Sequence, residues 1–203
     1  MAGKYAVTAG LLVAALLGGL GYFILSDQGD ARFAQCRETA IAGALGGPFE
    51  MIDHTGRTVT DAELIDRPTL LYFGYTFCPD VCPWDAARNA LAVDMLAERG
   101  MVARPVFVTV DPGRDTPEVL ARFTANLHED MVGLTGTPEQ VRATSQAYRT
   151  FFQHHEEEGE FYLVDHSTFS YLALPGHGVV EVYRRGQTAE EIADSMVCFI
   201  EAS

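Results

Sequence analysis

The sequence predicts an α/β layered domain held behind one N-terminal membrane helix. Three observations predict it. An uncharged apolar run extends from Ala6 to Leu25, roughly the length that a bilayer core requires. Two more apolar stretches, Thr69–Tyr75 and Val106–Val110, read as strands covered on both faces, as at the centre of a mainly parallel sheet. Between and beyond them, Thr-Pro-Glu and Thr-x-x-Glu/Gln sequences mark helix starts. The 203 residues leave room for one core-bearing domain and a short appendage. The expected division is an anchor at 1–26, a connector at 27–47 and the folded domain at 48–203.

The apolar run is flanked by Lys4 on one side and by Ser26-Asp27-Gln28-Gly29-Asp30 on the other. Positive charge stays in the cytoplasm, so the rest of the chain is expected outside it. A cleaved signal peptide is the rival reading. Its apolar region is normally shorter and ends in a small-x-small site, whereas Tyr22, Phe23 and Ile24 stand here. A buried core helix is disfavoured because no polar face interrupts the run. With no Arg/Ser-rich amphipathic presequence, the expected location is a bacterial inner membrane, single-pass, with the soluble domain facing the periplasm.

After the connector, which ends in Gly46-Gly47-Pro48, Phe49–Ile52 reads as a short strand turned by Asp53-His54-Thr55-Gly56. Thr60-Asp61-Ala62-Glu63 has the form of a capping box. The strand Thr69–Tyr75 runs into Cys78-Pro79-Asp80-Val81-Cys82-Pro83, and Trp84–Arg99 reads as a helix with Ala87, Leu91, Met95 and Leu96 as its apolar stripe. Val106–Val110 is stopped by Asp111-Pro112-Gly113. Thr116-Pro117-Glu118 and Thr137-Pro138-Glu139-Gln140 open two helices, each with a cap, a first-turn proline and an acid matched to the helix dipole. Strands are expected at Phe161–Val164, Phe169–Leu174 and Val179–Tyr183, and Thr188 caps a last helix reaching Ile200. This succession is compatible with a thioredoxin-like fold.

The charge excludes one class of function. All 28 acids lie after residue 26, and Lys4, the sole lysine, lies before it, so the body holds 13 basic residues against 28 acids, about −15. Such a field repels nucleic-acid backbones. It favours a cation or a basic protein partner, or serves solubility alone.

Chemistry is expected at Cys78 and Cys82, which leave the end of a buried strand at a helix entrance, the place where open α/β sheets hold ligands. The helix N-terminus lowers thiol pKa values and so favours thiolates, the metal-binding and nucleophilic form. Thioredoxin-type oxidoreductases use C-x-x-C; the three residues between these cysteines permit a disulfide or a grip on one metal ion. Two soft thiolates favour Cu(I) or Zn(II) and need a third ligand. Of the six histidines, His54 and His177 sit in turns, His128 lies near a helix end, and His154-His155 precedes an acidic run. His166, after a strand and between Asp165 and Ser167, is the best of several candidates. Asp111, at the end of the neighbouring strand, is expected to orient a ligand or approach Cu(II), or to serve only as a turn-forming Asp-Pro. Cys36 and Cys198, in an oxidising compartment, are expected either to bridge the connector to the last helix or to remain separate thiols.

With these residues in place, the chain resembles the Sco/SenC family of copper proteins. The resemblance covers nearly the whole soluble part. It rests on Gly46-Gly47-Pro48-Phe49, Tyr72-Phe73-Gly74-Tyr75-Thr76 before Cys78-Pro79-Asp80-Val81-Cys82-Pro83, Val110-Asp111-Pro112 with Arg114-Asp115-Thr116-Pro117, and Val164-Asp165-His166-Ser167 with Tyr171-Leu172. One departure is Phe77, where many members carry histidine; that histidine is not a core ligand, so the copper site is left in place. The resemblance implies a thioredoxin fold with copper, as Cu(I) and Cu(II), bound by Cys78, Cys82 and His166. It implies a role as copper metallochaperone in assembly of the CuA centre of cytochrome c oxidase. The partners it implies are the copper-bearing subunit of that oxidase and other periplasmic copper chaperones. The alternative is a thiol-disulfide oxidoreductase that reduces the cysteines of that subunit, with Cys78 and Cys82 cycling directly.

Overall fold

The computed structural model describes residue 18, residues 32–38, 45–155 and 159, and residues 161–203. The expected membrane helix at 6–25 lies outside the described residues, Gly18 aside. Among the described residues, no helix is long and apolar enough to cross a membrane. The chain divides into two compact units, Met1–Gln35 and Cys36–Ser203, and the second carries all that follows.

A seven-stranded sheet organises this unit, in the order β2-β1-β5-β4-β3-β8-β9. Its strands are β1 (Glu50–Asp53), β2 (Thr58–Thr60), β3 (Thr69–Gly74), β4 (Arg104–Thr109), β5 (Val132–Thr135), β8 (Ser170–Leu174) and β9 (Gly178–Tyr183). A separate two-stranded ribbon pairs β6 (Phe152–His154) with β7 (Val164–His166). The helices are α1 (Asp61–Leu64), α2 (Val81–Glu98), α3 (Pro117–Ala125), α4 (Pro138–Ala147) and α5 (Ala189–Ala202). β3 lies parallel to β4 and antiparallel to β8, and β4 is parallel to β5. All six residues of β3 are buried, which is why that stretch reads as a continuous apolar run. The mixed α/β layering is thioredoxin-like.

The caps behave as their side chains dictate. Thr60, Thr137 and Thr188 each accept a bond from the backbone N–H three residues on, and the Glu or Gln at that position accepts one in return from the cap backbone N–H. Thr116 caps α3 ahead of its first-turn proline.

Several sequence expectations need correction. The helix expected from Trp84 begins at Val81, which places Cys82 in its first turn. Its buried face is Cys82, Asp85, Ala86, Asn89, Ala90, Val93 and Leu96, while Leu91 is exposed. The stripe misleads because polar groups lie inside: the Tyr72 hydroxyl donates to Asp85 Oδ2 at 3.1 Å, and Asn89 Nδ2 donates to Ser170 Oγ at 2.8 Å. Partnered polar groups are admitted to a core that an apolar count assigns to solvent. The strand expected at Phe161–Val164 instead begins at Val164 and ends on His166, because its pairing partner β6 runs opposite with Phe152 facing His166. β2, β5 and β6, each of three or four residues, are additions to the expected pattern.

Candidate metal centre

Three elements bring Cys78, Cys82 and His166 together: the loop after β3, the first turn of α2 and the end of β7. Their ligand atoms all lie within 4.8 Å of one another, and among the described residues they are the one group of Cys, His and carboxylates so arranged. Cys78 keeps 9% of its surface and Cys82 none, so an incoming ion meets the Cys78 sulfur first.

The imidazole is oriented by the chain itself. His166 Nδ1 lies 2.9 Å from the Ser167 carbonyl oxygen. A carbonyl only accepts, so Nδ1 carries the proton and Nε2 holds a lone pair. Nε2 lies 3.2 Å from Cys82 Sγ. Tyr72 and Tyr75 meet the ring edge-on, with centroids 6.3 Å and 5.8 Å away. Sequence reasoning assigns no acceptor to Nδ1, since a backbone carbonyl carries no side-chain signal.

The two sulfurs are not equivalent. The hydrogen bond from the Cys82 thiol pulls Cys78 far below the ordinary thiol range, against its partial burial, and the backbone N–H groups of Asp80 and Cys82 add to the effect. The same hydrogen bond, together with burial, pushes Cys82 up. Cys78 is thus the readier of the two to ionise in the metal-free site, rather than one of two equally lowered thiols as the helix N-terminus alone predicts. The Cys82 backbone N–H also donates to Cys78 Sγ at 3.4 Å.

The loop between β3 and Cys78 is fixed from below. Asp115 is fully buried and accepts from Thr76 N at 3.0 Å, Thr76 Oγ1 at 2.5 Å and Thr109 Oγ1 at 2.6 Å. Gly74 is required by the packing: a Cβ there stands 2.9 Å from Cys82 Sγ and 3.2 Å from the Phe107 ring. That glycine, breaking an otherwise apolar run, is the available sequence signal for a close approach.

Asp111 takes a different position. Buried at the end of β4, it accepts from Arg114 Nε at 2.5 Å and from the Tyr162 hydroxyl at 2.8 Å. The Arg114 guanidinium also donates to the Tyr162 carbonyl at 2.9 Å and lies 3.6 Å from the Tyr162 ring, 4.9 Å from Phe77 and 5.7 Å from Tyr75. It thus joins the cysteine loop to the segment leading into His166. Cys36 and Cys198 form a disulfide, with Cα atoms 5.7 Å apart across 162 positions of sequence.

The site fits a soft monovalent or divalent ion. With metal–ligand bonds of about 2.0–2.3 Å, a trigonal arrangement of two sulfurs and one nitrogen spaces its ligand atoms about 4 Å apart. These atoms need to move by less than about 1 Å to reach that spacing.

Known proteins resemble this chain in sequence and in fold. A family model described as SCO1/SenC matches residues 37–201. The protein SenC of Rhodobacter capsulatus is 52% identical over 173 residues, covering 84% of this chain and 78% of its own. A crystal structure of Arabidopsis thaliana ScoI with copper bound superimposes with a TM-score of 0.75 at 38% identity, covering 79% of this chain and all of that one. Yeast Sco1 with copper bound gives 0.73 at 34% identity, covering 79% and 90%.

Proposed function

The chain belongs to the SCO1/SenC family, and from that premise we propose that it carries copper to the copper-bearing subunit of cytochrome c oxidase, for assembly of its CuA centre. The observation that carries the reading is the convergence of Cys78 Sγ, Cys82 Sγ and His166 Nε2 within 4.8 Å, with the imidazole lone pair turned toward the sulfurs. Two thiolates and one imidazole suit Cu(I) and also bind Cu(II). Three ligands leave the ion coordinatively open, so an acceptor's ligand can attach before a donor's leaves. Copper binding needs His166 in this position, whereas dithiol exchange does not require it. The copper-loaded domain is proposed to stand in the periplasm on the anchor at 6–25, within reach of membrane-bound oxidase and of other periplasmic copper chaperones. Asp111 is proposed to act on the ion at one remove, by holding the Arg114 and Tyr162 contacts between the two ligand-bearing segments.

Metal binding needs both sulfurs as thiolates, so the Cys78–Cys82 disulfide removes both donors together. Copper titrated into the reduced protein is expected to bind one-to-one, with sulfur-to-copper charge-transfer absorption for Cu(II); the protein oxidised at that pair is expected to retain none. Cys82, held up by its bond to Cys78 and by burial, must give up its proton as the ion enters, whereas Cys78 has already lost its own. About one proton should therefore be released per copper at neutral pH, and retention should strengthen as pH rises and weaken in acid. In the same titration Asp111→Ala should retain copper about tenfold to a hundredfold less well; an unchanged spectrum and affinity would remove Asp111 from the site. Equal loading of the oxidised wild type would overturn the copper assignment.

A further inference from the structure

Behind the three ligands, the core holds a tyrosine hydroxyl with more than one use for its proton. Tyr72, Cys82, Asp85 and Ser170 are all buried there. Gly74 permits the crowding: the point where its Cβ would stand is 2.9 Å from Cys82 Sγ and 2.9 Å from Tyr72 Cε1. The tyrosine ring therefore lies beside the sulfur, and its hydroxyl is within hydrogen-bonding reach of it. In the metal-free protein that hydroxyl donates instead to Asp85 Oδ2, at 3.1 Å. Burial holds the phenol far above its ordinary range, so the proton stays on the oxygen and only its direction changes.

The two acceptors do not need that proton equally. Arg88 Nη1 lies 3.4 Å from Asp85 Oδ1, and the guanidinium is held in place by the carbonyl oxygens of Arg184, Arg185 and Gln187 and by Ser170 Oγ. Asp85 thus keeps a cationic partner when the hydroxyl turns away. Cys82 as a metal ligand is a thiolate, and a buried anion without donors is costly. The Tyr75 backbone N–H supplies one donor, and the Tyr72 hydroxyl is placed to supply a second.

We propose that Tyr72 is a positioning residue for Cys82: its hydroxyl turns from Asp85 to the sulfur when copper binds, and tunes the copper–sulfur bond. The inference rests on the copper reading above. A hydrogen bond to a ligating sulfur draws its electrons away from the metal. Cu(I) is then favoured over Cu(II), and sulfur-to-copper charge transfer needs more energy. Asp85 competes for the same proton and limits the effect.

The test reads the Cu(II) charge-transfer band and the Cu(II)/Cu(I) potential in the full protein. Tyr72→Phe keeps the ring and removes the hydroxyl, so the band should move to longer wavelength and the potential should fall. Asp85→Asn should do the reverse. Its amide oxygen stays toward Arg88, so the new N–H donor faces the phenol oxygen and leaves the hydroxyl proton to the sulfur. Removing a negative charge would also raise the potential, and the double variant separates the two causes. Once Tyr72→Phe is present, Asp85→Asn should no longer move the band. Melting of the metal-free variants checks the fold. If Tyr72→Phe does not fold, a shift to shorter wavelength in Asp85→Asn supports the proposal and no shift overturns it. A band unmoved by Tyr72→Phe overturns the proposal, as does an Asp85→Asn shift that persists without the hydroxyl. Wild type with no charge-transfer band is a separate result, which overturns the copper reading and the hydroxyl's role with it.

Discussion

Replacing His166 with alanine is expected to abolish stable one-to-one copper binding while leaving the fold standing. The ring supplies the only nitrogen donor of the group, and its two nitrogens have fixed tasks: Nδ1 is spent on the Ser167 carbonyl, and Nε2 faces Cys82 Sγ. Without it a two-sulfur site remains, open on one side to water. The loss in retention should exceed about a hundredfold, the upper range caused by removing only a ligand's supporting partner. The structural cost is smaller, since the ring is half-buried and its edge-on contacts with Tyr72 and Tyr75 are worth about 0.5–1.5 kcal/mol each. Competition against a chelator of known affinity measures the first effect, and a thermal melt the second. Cys78→Ser and Cys82→Ser should match it in retention. Full retention by His166→Ala would remove the imidazole from the site.

The second large effect is expected at the opposite end of the chain. Cys36 and Cys198 close a loop of 162 positions, for which the chain-entropy account gives about 5 kcal/mol. We propose that this bridge forms in the oxidising compartment and ties the connector to α5. Replacing both cysteines with serine, so that neither thiol is left behind, should then lower the melting temperature by about 10–20 °C. Copper loading of the folded double variant should be unchanged, because neither sulfur belongs to the three-ligand group. A melt unchanged by the double substitution would show that the bridge does not stabilise the folded state.

The sheet centre was legible because burial on both faces leaves an unmistakable apolar run, and the helix starts because Thr-Pro-Glu serves few other purposes. The face of α2 was not. Its apolar count points to Leu91, yet Asp85 and Asn89 lie inside, satisfied by Tyr72 and Ser170, and tertiary partners of that kind are invisible along one strand of sequence. β5 and β6 escaped notice because three or four residues carry too few alternations to establish a period. At the site, cysteine spacing and strand-end position single out Cys78 and Cys82 as candidate ligands, which the structure brings together with His166, whereas His166 stands out from five other histidines only through the resemblance. The unequal protonation of the cysteines was out of reach, because it arises from the Cys78–Cys82 contact and not from the helix terminus that both share.

Copper is expected to move while the dithiol stays reduced. The most direct measurement mixes the copper-loaded protein with the metal-free oxidase copper subunit, its own thiols already reduced, under anaerobic conditions. Copper on each chain and the thiol count at Cys78 and Cys82 are then followed together. A metallochaperone passes its copper to the acceptor, and both cysteines are recovered as thiols. Copper staying on the donor in that mixture, together with conversion of Cys78 and Cys82 to a disulfide as the metal-free protein reduces a parallel sample of the disulfide-form acceptor to its dithiol, would contradict that role and identify a reductase instead.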